Sequence, residues 1–128
     1  MIPSSPQECL RHLEDVDRAE FATHLDVVNM ITSPQRYFFN DDFIRECFSV
    51  LKGTIVSCHL KNIKLKEEYT FQLQESACED GALDLELYAS LASEENPCIP
   101  MIIEHLVTDQ EYFDSVKYVR ERLGRFIL

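Results

Sequence analysis

Positive charge is scarce in this chain. Lys and Arg together number 12 against 23 Asp and Glu, which leaves a formal net charge of −11 over 128 residues. Such a surface repels phosphate backbones and anionic lipid, so neither nucleic acid nor a membrane is expected as a partner. Long apolar runs are missing as well. No stretch approaches the roughly 18–20 residues of a membrane span, and the opening MIPSSPQECL has no basic region followed by an apolar one. The expected location is cytoplasmic. The five cysteines, Cys9, Cys47, Cys58, Cys78 and Cys98, contain no CxxC pair and no finger-like spacing. An odd, scattered set argues against a disulfide frame or a structural zinc site and for reduced thiols, with Cys47 and Cys58 as small core residues. No low-complexity segment or Gly/Ser linker divides the chain. With 45% apolar and 27% charged residues, one compact domain over 1–128 is expected.

The segments that are present alternate in type. SPQECLRHLEDV opens with Ser5, Pro6 and Glu8, a capping box with proline at the first helical position, and Leu10 and Leu13 supply an apolar stripe. EFATHLDVVN has strand composition, which predicts a strand over about 20–26 that ends in polar Asp26 and Asn29. A turn is expected around TSPQ. NDDFIRECFSVLKG then reads as an amphipathic helix capped by Asn40, with Phe43, Ile44, Cys47, Phe48 and Leu51 at helical spacing and Gly53 at its end. TIVSCHL is a second strand, over 54–60, leading into His59, Lys61 and Asn62. Residues 61–82 are long for a loop, which predicts a functional excursion or a small hairpin. LDLELYASLAS is a helix closed off by Pro97 and Pro100. PMIIEHL is the third strand, and Thr108 with Glu111 forms a capping box for a last helix that ends at Gly124. Near-continuous apolar strands, each followed by an amphipathic helix, predict an α/β fold with a parallel sheet.

Three polar residues stand at comparable places in that scheme. Asp26, His59 and Glu104 each lie at or near the C-terminal end of one predicted parallel strand, the edge where α/β sheets place their ligands. Two carboxylates and an imidazole that converge there make a site for Mn²⁺, Mg²⁺, Co²⁺ or Zn²⁺. The residue types leave a second reading open, in which Asp26 caps a turn, His59 is a half-buried, hydrogen-bonded histidine and Glu104 pairs with Lys61.

HLDVVNMITSPQRYF, SCHLKNIKL and PMIIEHL, in this order over nearly the whole chain, resemble the last strands of the sugar phosphate isomerase/epimerase family, the xylose isomerase-like TIM barrels. The family pattern has a strand ending in Asp with His or Asn three residues on, a strand ending in His-Leu-Lys-Asp, a Gly-rich loop before a Leu-Asp helix, and a strand ending in Glu. Here these positions hold Asp26 with Asn29, His59 with Lys61, DGALDLELYASL, and Glu104. The chain departs from the pattern at Val27 in place of proline, at Asn62 in place of aspartate, in CEDG in place of Pro-Gly-x-Gly, and at Leu65 where epimerases carry arginine.

The resemblance implies a partial (β/α)8 barrel of about three βα units, since a complete barrel takes roughly 250 residues. It implies proton transfer between adjacent sugar carbons through an enediolate, with a sugar or sugar phosphate as substrate and a divalent metal, Mn²⁺ first, as cofactor. Asp26, His59 and Glu104 match metal ligands, Glu104 also matches a catalytic acid–base, and Asn29 and Lys61 fall at substrate-binding positions. The family's other catalytic glutamate has no counterpart, so the chain alone is expected to be inactive, to bind metal weakly, and to associate with itself or with a missing N-terminal barrel half. Were it active alone, Glu75 or Glu79 from the 61–82 excursion would have to take the vacant role. Strand alternation predicts that His105 faces away from Glu104 and packs between strand and helix. His24, two residues before Asp26 on the same face, could line the barrel interior below the metal but is expected in the core, and His12 in solvent. Lys61, Lys64 and Lys66 are considered as phosphate contacts and also as a solvated loop. Two other functions compete: a non-catalytic remnant or interaction module, and the related apurinic-site endonucleases, which the acidic balance and the small number of histidines disfavour.

Overall fold

The computed structural model describes residues 3–127. Its elements run α1 (Pro6–Val16), β1 (Thr23–Leu25), α2 (Val27–Met30), α3 (Pro34–Phe38), α4 (Asn40–Val50), β2 (Ile55–Leu60), β3 (Asn62–Leu65), β4 (Leu73–Ser76), α5 (Leu85–Glu95), β5 (Met101–Ile103) and α6 (Asp109–Leu123). Strands β1, β2 and β5 form a parallel sheet in the order β1-β2-β5, with Leu25 opposite Cys58 and Leu60 opposite Ile103. The 61–82 excursion is the antiparallel hairpin β3–β4, registered from Asn62 opposite Ser76 to Leu65 opposite Leu73.

Alternation, reset by an irregularity at Val56 where Ile55 pairs with Thr23 and Ser57 with His24, sorts the sheet into two faces. Leu25, Ile55, Cys58 and Leu60 are buried under the helices, where they meet Phe43, Ile44, Cys47, Phe48, Leu51, Tyr88, Ala89 and Ala92 in a continuous core. The Tyr88 hydroxyl, fully buried on α5, donates to the Leu25 carbonyl at 3.0 Å and ties that helix beneath β1. The opposite face carries His24, Ser57, His59 and Ile102, and it stays more open, with Val56 55% and Ile102 48% exposed.

The helix ends follow their capping chemistry, with two exceptions. Ser5 caps α1 by accepting from the Glu8 N–H, and Pro6 occupies the first helical turn. The Glu8 carboxylate turns back to Ser4 rather than Ser5, so the reciprocal half of the expected capping box is displaced by one residue. The expected turn at TSPQ is instead the short helix α3, with Ser33 accepting from the Arg36 N–H and Pro34 at its start. Asn40 does not cap α4. Its amide donates to the Tyr37 and Ala82 carbonyls and accepts from the Asp84 N–H, so it ties the end of α3 to the segment before α5 instead. The Thr108–Glu111 capping box of α6 is present in full. Strand β1 is shorter than the expected 20–26. A turn closes from Phe21 to Arg18 before it, and the Asp26 carboxylate opens a helix after it. Among the described residues, no helix is long and apolar enough to cross a membrane.

Candidate metal centre at the strand ends

Asp26 follows the last residue of β1, and its two carboxylate oxygens are divided between two tasks. Oδ1 accepts the Asn29 N–H at 3.0 Å and so caps α2, which fixes the side chain. Oδ2 is thereby aimed along the sheet edge, 3.1 Å from His59 Nδ1 and 2.9 Å from Lys61 Nζ. His59 lies on β2, two residues before Lys61 and therefore on the same face. Glu104 follows β5, and its Oε1 lies 2.7 Å from His59 Nδ1 and 3.0 Å from Lys61 Nζ. The ligand atoms of Asp26, His59 and Glu104 all fall within 4.8 Å of one another.

This donor set fits a divalent cation. One imidazole nitrogen faces two carboxylate oxygens, and a neutral ring can donate at most one proton from it, to one of them. A divalent cation among the three would satisfy the nitrogen lone pair together with both oxygens, which Lys61 Nζ bonds from the other side. Asp26 caps a turn of helix, Glu104 pairs with Lys61, and all three side chains converge.

Lys61 is the most buried charge of the cluster, with its side chain 1% exposed. Besides Asp26 and Glu104, its ammonium reaches Glu75 Oε1 at 2.9 Å and Asn29 Oδ1 at 3.1 Å. Burial opposes the charge on Lys61, but the Asp26, Glu75 and Glu104 carboxylates outweigh it and hold its pKa above the ordinary range. For Asp26, burial likewise works to raise the pKa, and the hydrogen bonds from Lys61, the Asn29 N–H and His59 hold it below the ordinary carboxylate value. Glu75 is also held low against burial, by His105 and Lys61.

Two residues join the cluster that strand logic alone does not place there. His105 is half exposed and adopts φ 61°, the left-handed region that non-glycine residues seldom enter. That turn breaks the alternation that would have sent it to the helix side. Its Nδ1 meets the Glu75 carboxylate, and its Nε2 lies 3.4 Å from Glu104 Oε2. Glu75 arrives from β4 because the hairpin folds back over the end of β2. Its distance from Lys61 in sequence gives no hint of this until the pairing register is known. His24 is exposed rather than in the core. Its ring meets that of His59 edge-on at 3.9 Å, and its Nδ1 shares a hydrogen bond with Ser57 Oγ. Glu79 stays away from the site and accepts from Ser115 Oγ at 2.7 Å, while Lys64 pairs with Asp80.

A parallel sheet covered by helices on one face, with polar residues at the strand ends of the other, is one sector of a barrel. One solved structure matches it, a xylose isomerase domain protein from Planctomyces limnophilus, with a TM-score of 0.69 and 21% sequence identity over 95% of this chain. The fold is part of a TIM barrel. The chain spans 43% of the length of that barrel protein. No protein-family model matches the sequence, and no curated protein matches it significantly.

The partial barrel explains why Asp26, His59 and Glu104 share one rim, since all three follow or close parallel strands of one sheet. It also explains the open face, which in a complete barrel would be the packed interior. Asn62, at the start of β3, has a structural task. Its buried amide accepts from the Ile63 and Leu83 N–H groups and donates to the Cys78 carbonyl.

Proposed function

We propose that the chain is the C-terminal part of a divalent-metal-dependent isomerase or epimerase of sugars or sugar phosphates. Asp26, His59 and Glu104 are the proposed metal ligands, Glu104 the catalytic acid–base, and Asn29 and Lys61 the substrate-side residues. The observation that carries this reading is the convergence of two carboxylates and one imidazole within 4.8 Å at the ligand-binding rim of a partial TIM barrel. The mixed oxygen and nitrogen set supports Mn²⁺, with Mg²⁺, Co²⁺ or Zn²⁺ as alternatives. When bound, such an ion supplies Lewis-acid stabilisation of negative charge developing on substrate oxygens.

The chain's own residues then have distinct tasks. Glu104 Oε1 faces His59 and Lys61, which leaves Oε2, 3.4 Å from His105 Nε2, as the oxygen proposed to accept a proton from a sugar carbon and return it. Asn29 keeps its backbone fixed by the Asp26 cap and presents its amide beside Lys61. Lys61 neutralises the carboxylates and lowers their mutual repulsion. Epimerisation inverts a carbon and needs a second proton-transfer group on the far side of the substrate, and the three ligands provide neither that group nor a second glutamate. The chain alone is therefore proposed to be inactive and to need either its own second copy or an N-terminal barrel half. The open Val56 and Ile102 face supports that need for cover. The free thiols support a cytoplasmic setting.

A coupled ketose-epimerase assay with Mn²⁺, run beside light scattering, tests the reading. The expected result is no turnover by the chain alone. A monodisperse monomer whose turnover is abolished by Glu104→Gln would contradict the proposed incompleteness and move the second acid–base role to Glu75.

A further inference from the structure

The metal reading leaves one feature of the cluster unexplained. Lys61 Nζ does not sit beside the proposed ligand atoms; it bonds the same two oxygens, Asp26 Oδ2 at 2.9 Å and Glu104 Oε1 at 3.0 Å. A divalent ion at about 2.0–2.2 Å from those oxygens would stand only a few ångströms from the ammonium. Two cations so close repel strongly in a partly dehydrated site.

The ammonium also has more acceptors than protons. Three N–H groups face Asp26, Glu104, Glu75 and Asn29 at 2.9–3.1 Å. It can therefore release the two shared oxygens and keep two partners, Glu75 from the hairpin and Asn29 from α2. Glu75 is braced for this by His105, which meets its other oxygen.

We propose that Lys61 is a built-in cation that occupies the carboxylate pair in place of the metal, and that Glu75 receives its ammonium when a divalent ion enters. Metal affinity in this chain is then set by an exchange of cations and not by the three ligands alone. Lys61 and Glu75 act as positioning residues for the metal site. Because the exchange moves a charge without removing it, the chain never holds the bare carboxylate pair.

The inference rests on the metal reading of the site, and calorimetric titration of the full 128-residue chain with Mn²⁺ alone separates the two. Lys61→Met keeps the length of the side chain and removes its charge, and it is expected to bind Mn²⁺ about tenfold more tightly or better than wild type. Glu75→Gln is expected to weaken binding severalfold, and that loss should largely vanish in the Lys61→Met background. Equal or weaker binding by Lys61→Met, or an equal effect of Glu75→Gln in both backgrounds, overturns the inference and leaves the metal reading standing. Absence of binding in wild type and in Lys61→Met alike contradicts both. Binding by Lys61→Met where wild type shows none supports both. Circular dichroism checks that Lys61→Met is folded. If it is not, Glu75→Gln alone decides, because the half-exposed hairpin position tolerates it, and unchanged or tighter Mn²⁺ binding by that variant overturns the exchange.

Discussion

Asp26 holds a helix cap with one oxygen and a charge cluster with the other, and two substitutions separate these tasks. Asp26→Asn keeps an acceptor for the Asn29 N–H but removes the charge that faces Lys61 and His59. Asp26→Ala removes both. Both variants should lose Mn²⁺ binding, and Asp26→Ala should be less stable than Asp26→Asn by about 1 kcal/mol, the usual worth of such a cap, when measured by urea unfolding. Equal stabilities would show that the cap contributes nothing. At this scale the sequence carried Asp26, His59 and Glu104, because a polar residue that closes an apolar strand needs no tertiary knowledge to locate. His105 and Glu75 were not legible in the same way. The first depends on a left-handed backbone turn at a non-glycine residue, and the second on the register of a hairpin whose turn residues do not announce it.

Among the elements, the hairpin has most bearing on the site, and its base depends on a close approach at Gly81. A Cβ there would lie 2.3 Å from Asn62 Oδ1, the buried acceptor for the Ile63 and Leu83 amides. Gly81→Ala is expected to cost about 1–3 kcal/mol by forcing that amide off its partners. Its signature is faster hydrogen exchange at the Leu83 amide, and unchanged protection there would show that the loop adjusts elsewhere. Gly53 differs, since a Cβ would meet nothing there and only its φ of 78° opposes substitution. The long helices were legible from apolar spacing at Phe43, Ile44, Cys47, Phe48 and Leu51. Helix α3 was hidden by its length, although Ser33-Pro34 repeats the Ser5-Pro6 signal that opens α1. Asn40 has the residue type of a cap but serves backbone groups of Tyr37 in α3 and of Ala82 and Asp84 before α5 instead, a tertiary demand that local propensity does not contain.

At the scale of the whole molecule, the open face of the three-stranded parallel sheet is the surface proposed to seek cover. Val56 and Ile102 are exposed on strands whose counterparts in a complete barrel would be packed, and β1 and β5 are both edges of their sheet. Size-exclusion chromatography with light scattering should therefore find a mass above that of one 14.9 kDa chain. Val56→Lys should shift the population toward monomer. A wild-type monomer at high concentration would show that the open face needs no cover. The barrel sector itself was legible from the alternation of apolar strands and amphipathic helices. How far the open face is covered in solution was not, because that depends on groups outside this chain.

The central claim is that Asp26, His59 and Glu104 form a divalent metal site, and with a net charge of −11 the rival is diffuse binding of cations over an acidic surface. Paramagnetic broadening of the proton–nitrogen NMR spectrum by substoichiometric Mn²⁺ tests this most directly. The account predicts selective loss of signals around residues 26, 59, 61 and 104 at low Mn²⁺, and the disappearance of that pattern in Glu104→Gln. Broadening centred on exposed acids such as Asp41, Asp42, Glu67 and Glu68, or a pattern that Glu104→Gln leaves unchanged, would contradict it.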